Sequence, residues 1–121
     1  MEVTRIFDLL GQDKEQQANS EYCDKGVALA HKVSGEWIKY SIDEYIENVN
    51  YVSYALLSLG IEPGDKVGIV SGNRPEWNFL DMGVMQIGAV PVPIYPTISQ
   101  EDYRYILNHA EVKLLFIEGK E

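Results

Sequence analysis

Apolar and polar positions alternate with changing period along this chain, and each change marks an element. Between Ile42 and Leu59, apolar side chains recur at three- and four-residue steps, at Ile42, Tyr45, Ile46, Val49, Val52, Leu56 and Leu59. That spacing puts them on one stripe and predicts a long amphipathic helix over 42–59. Ser41-Ile42-Asp43-Glu44 fits a capping box, in which the Ser41 hydroxyl accepts the third helical amide and Glu44 reaches back. Gly60 closes the helix, and Pro63-Gly64 forbids its return. Upstream, the short runs around Leu29 and Trp37-Ile38-Lys39-Tyr40 flank Ser34-Gly35, which predicts a β-hairpin over 27–41. Residues 1–26 read as an irregular lead-in, with a turn or two of helix in Ile6 to Leu10 closed by Gly11 and a polar loop from Gln12 to Ser20.

Downstream the period switches repeatedly. Lys66 to Ser71 is a buried-type strand, and Gly72-Asn73-Arg74-Pro75 turns the chain. Glu76 to Ile87 is helical, with Pro75 in its first turn and Gly88 at its end. Ala89 to Tyr95 is extended, and its prolines remove ladder donors, so its pairing is expected to be partial or on a sheet edge. Ser99 caps a helix that carries Tyr103, Ile106, Leu107 and Ala110 on one face, and Lys113 to Ile117 is a last strand, expected to be buried. The expected fold class is α/β: a partial parallel β-α-β-α-β sheet over 66–118, flanked by helices and preceded by the hairpin and the long helix. The helix from Trp77 to Ile87 is apolar around most of its circumference, and the strands around Val67 and Leu114 are apolar on both faces. Such elements need cover on several sides. The expectation is therefore a fragment, residues 1–121 forming the N-terminal part of a larger domain.

Composition changes this picture little. The 121 residues are 45% apolar and 24% charged, which suits one globular domain and excludes low-complexity chains. The net charge of −9 is spread evenly, with 10 acidic and 5 basic residues in 1–48 and 9 and 5 in 49–121. No basic stripe is present, so nucleic acid is not an expected partner. The single cysteine, Cys23, reads as an ordinary thiol in a reducing compartment, and the first residues lack the basic and apolar regions of a signal peptide. These features point to a cytoplasmic location.

Candidate chemistry is sparse. Phosphate-binding, dinucleotide-binding, zinc-protease and nucleophile-elbow motifs are all missing. His31 falls in the hairpin, and His109 sits near a helix end, where its charge complements the dipole. Asp43-Glu44 and Glu101-Asp102 occupy first helical turns for the same reason. More informative is the turn Gly72-Asn73-Arg74-Pro75, since helix N-terminal amides beside an arginine can hold an anion. Ligands of open α/β sheets gather at the carboxyl ends of the strands, which adds Tyr95-Pro96-Thr97 to the same edge. Asn73, Arg74, Tyr95 and Thr97 are therefore the candidate substrate-proximal residues. The competing reading is that Asn73 and Thr97 merely shape turns. No catalytic or metal-binding residue is assigned.

Several runs, in order, carry a resemblance. Gly60-Ile61-Glu62-Pro63-Gly64-Asp65-Lys66-Val67 resembles an early block of adenylate-forming enzymes. Tyr40 to Tyr45, Asn73-Arg74-Pro75-Glu76-Trp77, Gly88 to Thr97 and Tyr105 to Glu111 resemble further blocks of that superfamily, together covering about residues 36 to 118. Within it, the Asn73 and Ile94-Tyr95-Pro96-Thr97 runs are most similar to long-chain fatty-acid–CoA ligases. The resemblance implies a parent enzyme that joins a fatty acid to AMP from ATP, with Mg²⁺ offsetting phosphate charge, and then passes the acyl group to coenzyme A. It also implies that the phosphate loop, the acyl-adenylate motifs, the ribose-binding acid and the lid lysine lie beyond Glu121. The chain alone is thus expected to be an inactive scaffold portion that binds no cofactor, with the rest of its own domain as partner. An isolated piece with uncovered apolar faces is expected to self-associate. Peripheral membrane association of the parent would suit a lipid substrate. The alternatives are an adenylate-forming ligase for an acyl-carrier protein, aryl or amino acid substrate, and a stand-alone binding or oligomerising module.

Overall fold

A computed structural model describes residues 5–12 and 26–119. Cys23 and most of the lead-in lie outside the described residues. Residues 8–12 are helical, and Gly11 lies inside that turn instead of closing it. Strands β1 (Leu29–Val33) and β2 (Glu36–Tyr40) form the hairpin, with Val33 opposite Glu36. The two loop residues, Ser34 (φ 49°) and Gly35 (φ 89°), both take positive φ, as a tight hairpin turn with the twist of the strands requires.

Helix α1 (Ile42–Ser58) carries the expected capping box: the Glu44 amide donates to the Ser41 hydroxyl at 3.2 Å and the Ser41 amide to the Glu44 carboxylate at 2.7 Å. Its inner face buries Ile42, Tyr45, Val49, Ser53 and Leu56. Leu59, expected on that stripe, is instead 63% exposed, because the chain has left the helical path there and Leu59 is the C-cap. Gly60 (φ 78°) follows in the left-handed conformation. Its amide bonds the Leu57 carbonyl at 3.0 Å, and the Ile61 amide bonds that of Leu56 at 3.1 Å. This is a Schellman ending, with Ile61 packed in the same apolar cluster as Leu56.

Strand β3 (Lys66–Val70) is central in a three-stranded parallel sheet of order β4-β3-β5, where β4 is Val90–Ile94 and β5 is Val112–Ile117. Helix α2 (Pro75–Gln86) links β3 to β4, and α3 (Gln100–His109) links β4 to β5. A second Schellman ending at Gly88 (φ 78°) closes α2, with the Ala89 amide on the Val84 carbonyl at 3.1 Å. The proline-bearing β4 is indeed an edge strand, and it pairs with β3 along its whole length. Val67 and Ile69 of β3 are fully buried together with Leu56, Val49 and Val84. Burial of side chains this size contributes about 1.5–3 kcal/mol each. The matching expectation for β5 is not met, since none of its residues is buried.

The layer above the sheet depends on close approach of α1 and α2. A Cβ added at Gly83 would lie 2.5 Å from Val52 Cγ1 and 3.2 Å from the Val49 carbonyl oxygen. The freed space lets the buried Ser53 hydroxyl donate to the Gly83 carbonyl at 3.0 Å, and the Gln86 amide donates to Asn50 Oδ1 at 2.9 Å. Val52 is β-branched and its neighbour is backbone, so neither can swing aside. Gly83→Ala is therefore expected to cost about 1–3 kcal/mol, read as a lower thermal midpoint by circular dichroism. Gly119→Ala, whose added carbon meets nothing within 4 Å, should leave that midpoint unchanged.

Candidate functional site

Parallel strands deliver the loops after β3, β4 and β5 to one edge of the sheet. There a cleft of about 410 Å³ opens between the Ser71-Gly72-Asn73 turn, Trp77 at the start of α2, and Pro93-Ile94-Tyr95 at the end of β4. Asn73 and Tyr95 are two of its lining residues. Tyr95 is 80% exposed, and its carbonyl is fixed by the Tyr103 hydroxyl of α3 at 2.9 Å. Thr97 is exposed in the loop beyond and is not among the lining residues.

Arg74 turns away from the cleft. It occupies the N-cap position of α2 with an extended backbone and no side-chain cap, and Pro75 takes the first helical position. Its Nε and Nη2 donate to the two Glu76 oxygens at 2.8 and 3.1 Å, and Nη1 donates to Glu118 Oε1 at 2.9 Å. The other Glu118 oxygen accepts the Gly72 amide at 2.7 Å and the Ser71 hydroxyl at 3.0 Å. The anion drawn to this turn is thus the chain's own carboxylate, just past the end of β5. Ser71, Trp77 and Glu118 are absent from the residues picked by sequence. The signal for Glu118 was present, an acid at a strand end on the same edge, but its partners lie more than forty positions away.

The electrostatics follow from these bonds. The Gly72 amide, with Ser71 and Arg74 behind it, holds Glu118 below the usual carboxylate range. Arg74 does the same for Glu76, and both acids raise the arginine. At the opposite edge Lys113 Nζ donates to Asp65 at 2.6 Å and, with the Glu62 amide, lowers that carboxyl. Among the described residues no group of three His, Cys, Asp or Glu side chains could hold a metal ion, and the Gly72 amide is already engaged. At this turn the donors that could receive an anion are engaged by Glu118. What the cleft offers is a largely apolar wall with one free amide side chain and a tyrosine. Neither histidine lines this cleft: His31 in β1 borders a separate, smaller depression with Asn73 and Arg74, and His109 stacks on Tyr105 with 5.4 Å between ring centroids.

Comparisons with known proteins complete this description. The family described as "AMP-binding enzyme" matches residues 15–121. Fatty acyl-CoA synthetase A of Dictyostelium discoideum is 33% identical over 115 residues, which cover 95% of this chain and 17% of that protein. A long-chain-fatty-acid–CoA ligase of Mycobacterium bovis is 38% identical over 86 residues, covering 71% of this chain and 14% of the relative. The chain thus spans less than a fifth of the curated relatives it matches. Among solved structures, the N-terminal subdomain of Klebsiella oxytoca NpsA aligns with a TM-score of 0.77 at 20% identity, over 98% of this chain and 29% of that one. The fatty acid AMP ligase of Legionella pneumophila aligns with a TM-score of 0.76 at 14% identity, over 92% of this chain and 19% of that one. These last likenesses concern the fold.

Glu118, Glu76 and Asp65 each titrate lower in the folded chain than in the unfolded one. Their contribution to stability is complete above the unfolded carboxylate range of about 4–4.5 and is lost as pH falls through the lower folded values. Asp81 runs the other way: partial burial on α2 raises its pKa, so its ionisation opposes folding as pH rises. The thermal midpoint is expected to drop as pH falls from about 5 toward 3. Glu118→Gln should flatten that drop and lower the midpoint at neutral pH. An acid limb identical to that of the unaltered chain would remove Glu118 from the account.

Proposed function

The chain belongs to the AMP-binding enzyme family, and from that premise we propose that it is the scaffold portion opening the large N-terminal domain of an ATP-dependent long-chain fatty-acid–CoA ligase. The observation that carries this reading is the sequence kinship to curated fatty acyl-CoA synthetases, which extends over 95% of the chain for one of them and 71% for another. Other adenylate-forming ligases share the fold at lower identity, which does not favour an aryl or amino acid substrate over a fatty acid.

In the parent enzyme a fatty acid, ATP and coenzyme A are the substrates and Mg²⁺ the metal. The groups that hold nucleotide and metal belong to sequence outside these residues, because the anion-receptive turn here is spent on Glu118. The contribution of this chain is positional. Asn73 and Tyr95 border a substrate-proximal cleft, Thr97 follows in the exposed loop beyond Tyr95, and Arg74 holds the turn in place through Glu76 and Glu118. A reducing, cytoplasmic setting suits the single cysteine. No helix among the described residues is long and apolar enough to cross a membrane.

The test is catalytic. The 121-residue chain, assayed for ATP–pyrophosphate exchange with a long-chain fatty acid, should show none. A longer polypeptide continuing through the family's phosphate loop and lid should show exchange and, with coenzyme A, thioester formation. In that longer polypeptide Tyr95→Ala is expected to raise a substrate KM by about tenfold while leaving the thermal midpoint near its original value. Adenylate formation by the short chain alone would overturn the reading.

A further inference from the structure

The two walls of the cleft are secured in different ways. The Ser71-Gly72 turn is bonded to Glu118 through a hydroxyl and an amide. Tyr95 lies one residue past the end of β4, outside the ladder that fixes Val90 to Ile94 against β3. Pro96 follows it and has no amide to donate. Tyr95 is largely exposed, so packing does little to hold its ring. A residue before proline is confined to extended backbone, and a bond to its carbonyl fixes the backbone angle within that region. Such a bond is present: the Tyr95 carbonyl accepts the Tyr103 hydroxyl at 2.9 Å. Tyr103 is itself well anchored. Its amide donates to the Ser99 carbonyl at 3.1 Å, one turn into α3, and the Asp102 amide donates to the Ser99 hydroxyl at 3.1 Å to cap that turn. Helix α3 buries none of its residues, so the core gains little from it, yet its half-buried Tyr103 reaches back to the loop that precedes it.

We propose that Tyr103 is a positioning residue, which holds the Tyr95 carbonyl and thereby fixes the direction in which the Tyr95 side chain borders the cleft. Tyr103 is not among the lining residues, so it acts only through Tyr95. Its hydroxyl orders the loop from Tyr95 to Ile98, and the ordered loop presents the Tyr95 ring to the substrate portion that enters the cleft. The effect on a substrate rests on the proposed ligase function; the effect on the loop does not. Without the hydroxyl, Tyr95 samples further extended conformations, and binding that needs one of them is weakened by the fraction of time spent in the others.

Tyr103→Phe tests this, since it keeps the ring and deletes only the hydroxyl. In the 121-residue chain, nitrogen-15 relaxation should show the amides of Tyr95, Thr97 and Ile98 losing order while those of β3 keep theirs. In the longer polypeptide, the same variant should raise by about three- to tenfold the KM that Tyr95→Ala also raises, with kcat changed by less than about twofold. Added to Tyr95→Ala it should raise that KM no further, because no ring is left to position. A tyrosine that merely stabilised the fold would exert its own effect in both backgrounds. Unchanged loop order, an unaltered KM in an active longer polypeptide, or additive effects in the double variant would each overturn the proposal. A longer polypeptide without exchange activity would count against the ligase reading instead, and the relaxation measurement then decides on Tyr103 by itself.

Discussion

Two left-handed glycines organise this molecule. Gly60 and Gly88 each sit one residue past a helix C-cap, where a side chain would strain the backbone, and each turns the chain toward a strand. The residue after each glycine, Ile61 or Ala89, is buried in one cluster with Leu56, Val67 and Val84. The same two turns are also joined to each other, since the Gly64 amide bonds the Gly88 carbonyl at 2.9 Å. Helix termination, strand entry and core packing are therefore one event. A chain that failed to reverse at Gly60 could not place β3 beneath α1 and α2, and the sheet would lose its central strand.

The sheet's third strand is held in a different way. With no buried residue of its own, β5 gains less from desolvation than β3 does, and it is fastened at both ends by charge. Lys113 near its start reaches Asp65 and the Gly60 carbonyl, and Glu118 just past its end reaches Gly72, Ser71 and Arg74. Single exposed ion pairs contribute little, but the Glu118 carboxylate accepts a backbone amide, a hydroxyl and a guanidinium together. One consequence concerns the block Gly60 to Val67 that first suggested the family. Its Asp65 accepts the Glu62 amide at 2.8 Å as well as Lys113, so within this chain the block acts as a structural clasp at the amino edge of the sheet.

Most of the fold was legible because its determinants are local. The capping box at Ser41, the cap at Ser99, the Ser34-Gly35 turn, the closing glycines and the proline-marked edge strand are written within a few residues of where they act. What was misread depends on context. Leu59 continues the helical spacing but falls where the C-cap has already rotated the backbone, so its side chain faces solvent. Gly11 resembles a helix stop yet lies within the turn it was expected to end. Ser53 gives no sign in one dimension that its hydroxyl will be buried against Gly83, because that contact exists only once two helices cross. The candidate site divides along the same line. The meeting of the Asn73 turn with Tyr95 follows from parallel strands ending together, whereas the orientation of Arg74 depends on Glu118, brought near by pairing of β3 with β5.

That orientation bears on what the carboxyl edge can hold. Were Arg74 free, the Gly72-Asn73 turn would combine an amide, a hydroxyl and a guanidinium, a suitable cradle for a phosphate. With Glu118 inserted, all three are spent, and a phosphate arriving there would meet a carboxylate already in possession of its donors. Like charges at such separation repel, and replacing one anion by the other yields no new hydrogen bond. The neighbouring cleft is walled by Trp77, Pro93 and Ile94 and carries no charged lining residue. Burying an apolar or neutral portion of a ligand against such walls costs little, whereas burying an ionised group there would leave it unpaired. The internal ion cluster therefore does more than tie β5 to β3: by absorbing the charge of its own edge, it leaves beside it a surface suited to uncharged matter.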